Sequence, residues 1–120
     1  MITWRMARLW VLAAAVLATS AHAGEPDLKR GAATYKELCA KCHGSGGKGD
    51  GKDAATLATK PKDLTDCARM TTFTDDRLFA IVKNGGAAEG LSKDMPPYAD
   101  ALEDDEIRDT VAFVRSLCRR

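Results

Sequence analysis

Residues 39–43 read CAKCH, and this stretch determines how the rest of the chain is interpreted. Cys39 and Cys42 stand three positions apart, so at the end of a helix both thiols lie on the same side. His43 follows at once and adds an imidazole beside them. Such a set suits three chemistries: a thiol–disulfide redox pair, half of a zinc site, or covalent attachment of haem.

The surroundings of the motif favour haem attachment over the other two chemistries. A redox pair of this type follows a strand in a βαβ unit, and no strand pattern precedes the motif. Zinc needs four ligands, whereas the chain beyond residue 23 has no second histidine. Two thiols at this spacing can reach the vinyl groups on one porphyrin edge, with the imidazole under the iron. The motif therefore predicts one haem c, with Cys39 and Cys42 as thioether ligands and His43 as the proximal iron ligand.

Residues 1–23 have the pattern of a cleaved secretory signal peptide. Arg5 and Arg8 precede an apolar run at residues 9–18, and residues 21–23 read AHA, which is an A-x-A cleavage site. The run is shorter than the ~20 apolar residues of a membrane span, so no transmembrane segment is expected after cleavage. The alternative is an uncleaved N-terminal anchor. The segment predicts export to the periplasm, which is an oxidising compartment.

Length and composition describe one ordinary globular domain, expected to span residues 24–120. The chain has 120 residues, of which 45% are hydrophobic and 29% charged. Its formal charge is +1, and loss of Arg5 and Arg8 with no acid would make it −1. Such a balance gives no support for a nucleic-acid partner. Four cysteines are too few for a dense disulfide scaffold but sufficient for a cofactor site.

Hydrophobic periodicity predicts three main helices, at about residues 26–42, 75–84 and 104–117. The loops between them are long, rich in glycine and proline, and show no strand pattern. Loops of this length are uncommon unless they enclose something. The sequence therefore predicts an all-α fold whose loops wrap around one covalently attached haem.

Several stretches in addition to CAKCH resemble the monohaem class I cytochromes c of the small bacterial periplasmic group. The resemblance covers essentially the whole chain after residue 23, in the order found in the family. The resemblance implies the cytochrome c fold, with a glycine and aromatic side chains between the terminal helices. It also implies that the proximal histidine donates its other N–H to a backbone carbonyl near residue 52. The matching stretches are CAKCHG (39–44), GGKGDG (46–51), KPKDL (60–64), KNGG (83–86), MPPY (95–98) and the last helical segment (105–117).

Because His43 is the only histidine beyond residue 23, the sixth iron position is expected to hold another kind of group or none. Beyond residue 23 only Met70 and Met95 carry a thioether. Met95 lies in a Gly/Pro loop just before the last helix, where the family has its distal methionine, and the resemblance therefore implies Met95. Met70 is interpreted as a packing residue. Ligation by His43 and Met95 raises the haem potential relative to harder ligands.

Cys67 and Cys118 lie outside the haem motif and outside the common family pattern. In an oxidising compartment two spare thiols are expected to pair, which predicts a Cys67–Cys118 disulfide. Two free thiols, or Cys118 bridging a dimer, are the alternatives. A second haem is excluded, because neither cysteine belongs to another C-x-x-C-H motif.

The resulting functional hypothesis is a periplasmic one-electron carrier, not an enzyme. The protein is expected to be a monomer that docks a redox donor and a redox acceptor transiently at the haem edge. One alternative is a haem subunit of a larger oxidase or dehydrogenase. Another is a peroxidase-like enzyme, if Met95 dissociates from the iron. Lysines cluster on the haem-binding half, which suggests steering of an acidic partner, although a solvated mixed surface is an equal alternative: Lys41, Lys48, Lys52, Lys60 and Lys62.

Overall fold

The computed structural model describes residues 24–119, and within this range it contains helices and loops but no strand. The predicted signal peptide lies outside the described residues. None of the helices described is long and apolar enough to cross a membrane. The all-α prediction is confirmed. The helices are α1 (Leu28–Thr34), α2 (Ala40–His43), α3 (Cys67–Met70), α4 (Asp75–Asn84) and α5 (Asp104–Leu117), with a π-helical turn at Tyr35–Cys39 and short 3₁₀ turns at Ala54–Thr56 and Ala87–Glu89.

The first helical run is continuous but contains the π-helical turn, which the periodicity did not predict. It starts at Asp27, whose carboxylate accepts bonds from the backbone N–H groups of Lys29 (2.9 Å) and Arg30 (3.0 Å). In the π turn the N–H of Ala40 reaches back five residues to the carbonyl of Tyr35. One residue is thus added to a single turn, a feature often found next to functional sites.

Helices α4 and α5 have the predicted bounds, because their end signals are local. The hydroxyl of Thr74 accepts a bond from the N–H of Arg77 (3.1 Å), and α4 ends at Gly85, whose φ of 83° favours glycine. At the start of α5, the N–H of Glu103 donates to the side chain of Glu106 (2.9 Å).

The core forms where α1 crosses α5. A Cβ on Gly31 would lie 2.1 Å from the carbonyl oxygen of Asp109, so only glycine permits this approach. Beside it the rings of Tyr35 and Phe113 pack with centroids 5.1 Å apart. This confirms the expected contact between the terminal helices. The α5 side chains Ile107, Val111 and Leu117 are buried along the same face.

Asp109 is a buried carboxylate in the middle of this interface, although its sequence neighbours form an exposed acidic run. It is 3% exposed. It pairs with the guanidinium of Arg30 and accepts a bond from the backbone N–H of Asp27 (2.8 Å). A buried charge is tolerated when paired and hydrogen-bonded in this way. The residue therefore fixes the start of α1 on α5.

The short helix α3 was not predicted, and α5 holds it in place. Its cap is Asp66, and the segment after it leads directly into α4. Arg115 of α5 donates to the carbonyl of Met70 (2.6 Å) and to that of Phe73, and pairs with Asp75 at 2.7 Å. One guanidinium thus holds residues 70–75, which include two side chains of the cavity wall described below.

Candidate haem site

A cavity of about 430 Å³ lies between the helices and the long loops. Its volume is in the range of pockets that enclose an organic ligand, roughly 300–1,000 Å³. Cys39, Cys42 and His43 line it from the helical run, and Met95 lines it from the loop before α5. The structure thus brings together the four side chains that the sequence analysis singled out. The rest of the wall is mostly apolar and includes Leu38, Leu57, Leu64, Phe73, Leu78, Ile81, Val82, Val111 and Val114.

The donor set suits a covalently held haem better than the other chemistries. No group of three or more His, Cys, Asp or Glu that could hold a metal ion occurs among residues 24–119, so the second half of a zinc site is missing there. The strand that a thioredoxin-like pair requires is missing from the same range. Two thiols, an imidazole and a thioether around an apolar cavity are the donor groups of c-type haem proteins.

Burial shifts Cys39 and His43 towards their uncharged forms. It raises the pKa of the Cys39 thiol to about 11, and the neighbouring Cys42 adds to the shift. It also lowers the pKa of His43, against the opposing effect of a bond to the carbonyl of Lys62. A neutral imidazole is the form that binds a metal.

The ring of His43 is oriented by the backbone of Lys62. Its Nδ1 lies 3.1 Å from the carbonyl oxygen of Lys62, and because a carbonyl only accepts, Nδ1 carries the hydrogen. The Nε2 atom is then unprotonated and could bind a metal. The expectation of a carbonyl near Lys52 is wrong. The loop returns to His43 only at Lys62, ten residues after Lys52, and the Pro61 carbonyl just before it lies against Gly49.

The glycine-rich loop after His43 folds back and caps the helix end. The backbone of Gly51 approaches so closely that a Cβ there would lie 2.3 Å from the carbonyl oxygen of Lys41. Successive carbonyls of the motif therefore find donors in one short loop, which fixes the motif in place. The bonds run from Asp53 to Lys41 (2.9 Å), Gly51 to Cys42 (3.1 Å), Gly49 to His43 (2.7 Å) and Gly47 to Gly44 (3.1 Å), each from N–H to carbonyl.

Met95 and Met70 both line the cavity, but they are held differently. Met95 is half-buried in the methionine loop (residues 91–98), and its carbonyl accepts a bond from the N–H of Gly86 (2.9 Å). Met70 is 2% exposed and lies in α3, with its carbonyl bound to Arg115. Met70 thus has the environment of a packed core residue, whereas Met95 lies in a loop stiffened by two prolines.

Cys67 and Cys118 are brought into contact, although each is a free thiol in the structure. The Cys67 sulfur contacts the backbone carbonyl of Cys118, which joins the start of α3 to the end of α5. A hydrogen bond with the Cys118 side chain is the largest cause that raises the pKa of the Cys67 thiol, and burial raises it further.

Three kinds of site residue were not found from the sequence. Lys62 acts through its backbone carbonyl, which carries no side-chain signal. Arg115 resembles any basic residue in the last turn of a helix. Tyr35 and Tyr98 line the cavity and bond to backbone carbonyls through their hydroxyl groups. For these two, the available signal was the hydroxyl that tyrosine carries and phenylalanine lacks.

Comparisons with known proteins agree with this site. A family model described as "Cytochrome C oxidase, cbb3-type, subunit III" matches residues 26–114. Cytochrome c6 from Synechococcus elongatus is 28% identical over 88 residues, which cover 73% of this chain and 87% of that protein. Cytochrome c6 from Thermosynechococcus vestitus is also 28% identical over 88 residues, which cover 73% of this chain and 68% of that protein.

A solved structure shares the fold. The structure of the KustC0563 c-type cytochrome superposes with a TM-score of 0.60 at 22% sequence identity, and the match covers 72% of this chain and 95% of that one. The family match, which spans most of the chain, decides the assignment. The chain belongs to the family described as cytochrome c oxidase, cbb3-type, subunit III, and is a small class I cytochrome c with one covalently bound haem c.

Proposed function

We propose that this cytochrome is an exported one-electron carrier whose haem iron has His43 and Met95 as axial ligands. The observation that carries the proposal is that the CAKCH motif and the methionine loop line one largely apolar cavity. With His43 and Met95 both holding the iron, no position on it would be open to a substrate.

The chain's residues would divide the work as follows. The thiols of Cys39 and Cys42 would hold the haem through thioether bonds to its vinyl groups, an addition that needs no oxidant or reductant. The bond from His43 Nδ1 to the carbonyl of Lys62 orients the imidazole and leaves Nε2 free. The apolar wall would exclude water and would favour the reduced haem, which carries less charge than the oxidised haem. When bound, haem c supplies an iron that takes up and releases one electron.

Docking of the redox donor and acceptor would occur at the cavity rim. Lys60 and Lys62 line the cavity and are exposed, whereas Arg69, which also lines it, pairs with Asp66 at 3.6 Å. The acidic residues at the start of α5 are partly neutralised, because Lys83 pairs with Asp104 at 2.8 Å. A basic rim of this kind steers an acidic partner surface and raises its association rate.

Export would supply the oxidising surroundings for the second cysteine pair. We place cleavage after residue 23 and the mature domain at residues 24–120, in the periplasm. There Cys67 and Cys118, already in contact through the Cys118 carbonyl, would form a disulfide. The two thiols would lose two electrons and two protons to a thiol–disulfide oxidant.

A haem subunit of a larger oxidase is the second candidate function. It is favoured by one observation, the family description, which names a subunit of a cytochrome c oxidase. Extraction in mild detergent followed by size-exclusion chromatography separates the two. A carrier elutes as a single small haem protein, whereas a subunit elutes with its partner chains.

Voltammetry of the purified holoprotein on an electrode tests the carrier directly. The proposal predicts a reversible one-electron wave that is unchanged when hydrogen peroxide is added. A catalytic current in the presence of peroxide would contradict it and would favour a peroxidase-like enzyme with an open iron.

A further inference from the structure

Two tyrosine hydroxyls bond to backbone carbonyls on either side of the attachment segment (residues 39–43). The hydroxyl of Tyr35 donates to the carbonyl of Gly44 at 2.7 Å, and that of Tyr98 donates to the carbonyl of Leu38 at 3.2 Å. Leu38 is the residue before the segment and Gly44 the residue after it. The two bonds therefore hold its two ends.

Tyr35 holds the end of the attachment segment that carries His43. It is 2% exposed, and its ring packs on Phe113 of α5. The Gly44 carbonyl that it reaches also accepts the N–H of Gly47 (3.1 Å), so both lone pairs of this oxygen are used. Gly44 has a φ of 83° and turns the chain directly after His43. The Tyr35 hydroxyl thereby fixes the turn that sets the position of the imidazole.

Tyr98 joins the other end of the segment to the methionine loop. It stands three residues after Met95, and its N–H donates to the carbonyl of Val82 in α4 (3.0 Å). Its hydroxyl then crosses to Leu38 in the π turn. One residue, through its backbone N–H and its side-chain hydroxyl, thus connects α4, the methionine loop and the helix that carries the cysteines.

Ring packing alone does not require either hydroxyl. Phenylalanine would fill the same space without a polar group, and a buried hydroxyl is unfavourable unless it finds a partner. Both hydroxyls have partners, and both partners flank the attachment segment. The polar atoms are therefore placed where they can control the geometry of the haem ligands.

We propose that Tyr35 and Tyr98 are positioning residues that hold the two ends of the attachment segment. The Tyr98 hydroxyl in addition keeps the methionine loop against that segment, so that Met95 stays on the iron. This second part rests on the His43/Met95 ligation proposed above.

Displacement of the methionine in the oxidised holoprotein tests the role of Tyr98. Imidazole is added by stopped flow, and loss of the far-red methionine–iron(III) band is followed for the wild type, Tyr98→Phe, Tyr35→Phe and the control Ser116→Ala. The control removes a part-buried hydroxyl that bonds to the carbonyl of Phe113 (2.5 Å), away from the cavity. We expect Tyr98→Phe to react about 3- to 10-fold faster, which corresponds to one neutral hydrogen bond. The other two should stay within about twofold of the wild type.

The role of Tyr35 has a separate measurement. The proton NMR shifts of the haem methyl groups in the oxidised protein report the orientation of the axial ligands. We expect Tyr35→Phe to change the pattern of these shifts, while Ser116→Ala leaves it unchanged. An unchanged pattern in Tyr35→Phe would overturn its role.

The results separate this inference from the function on which it depends. A wild-type protein without the far-red band contradicts His43/Met95 ligation itself, and the Tyr98 role with it. A wild type with the band but a Tyr98→Phe rate within twofold of it overturns the Tyr98 role alone. Equal acceleration in Ser116→Ala would do the same, because the effect would then be general loosening.

Discussion

Replacing Gly31 by alanine should weaken the contact between α1 and α5. The added Cβ would lie 2.1 Å from the carbonyl oxygen of Asp109 and 3.1 Å from the Cβ of Phe113, whereas ordinary contact begins at 3.4 Å. The oxygen belongs to the backbone of α5 and cannot rotate away. The helices must therefore separate by roughly 1 Å, or the first turn of α1 must distort.

Two opposing effects set the magnitude for Gly31→Ala. Alanine favours a helix over glycine by about 1 kcal/mol. Overpacking of a well-packed interface costs about 1–3 kcal/mol, and occasionally more. Here the clash is with backbone and also disturbs the Arg30–Asp109 pair and the Tyr35–Phe113 contact. We expect an overpacking cost near the upper end of this range, about 3 kcal/mol, and therefore a net loss of about 2 kcal/mol, or a Tm lower by about 10 °C.

Thermal unfolding of the oxidised holoprotein, followed by far-ultraviolet circular dichroism, measures this loss. Ala33→Gly is the matched control, because Ala33 is exposed on the same helix and its replacement measures the helix-propensity effect alone. The propensity loss measured in Ala33→Gly equals the gain expected in Gly31→Ala, so adding it to the observed loss of Gly31→Ala gives the cost of the clash. A Tm for Gly31→Ala equal to or above that of the wild type would refute the close approach of the two helices.

Three further predictions concern the cavity wall and the C-terminal end. Met95→Ala should abolish the far-red band and let carbon monoxide bind the reduced protein, whereas Met70→Ala should keep the band but lower the free energy of unfolding by about 2–5 kcal/mol in urea titrations. Arg115→Lys should destabilise by about 1–3 kcal/mol in the same titrations, since an ammonium cannot replace a fork that binds two carbonyls and a carboxylate. The exported protein should show no thiol at Cys67 or Cys118 to an alkylating reagent, and Cys67→Ser should lower the Tm by on the order of 15 °C. Labelling of both cysteines in the native exported protein would contradict the disulfide.

The elements that the sequence predicted well are those defined by local signals. Helix α4 begins at a Thr74 cap and ends at Gly85, and α5 begins with acids that suit its N-terminus. The cysteine motif is likewise a contiguous stretch. Its placement beside Met95 in one cavity followed from the resemblance, because nothing in the spacing of two segments far apart in the chain fixes their distance.

What the sequence did not reveal depends on contacts between distant segments or on the backbone. The acceptor for His43 is the carbonyl of Lys62, which is set by how the loop returns and not by any side chain. The π turn at Tyr35–Cys39 changes the helical period by one residue within a single turn, which an average period cannot show. Asp109 belongs to an acidic run in sequence, yet only the approach of α1 buries it.

The visible spectrum of the exported holoprotein, oxidised and then reduced with dithionite, tests the central claim most directly. A carrier with His43 and Met95 on the iron predicts sharp reduced α and β bands, a weak far-red band in the oxidised state, and no change on adding carbon monoxide. High-spin bands, or a spectrum that shifts with carbon monoxide, would show an open iron and contradict the account.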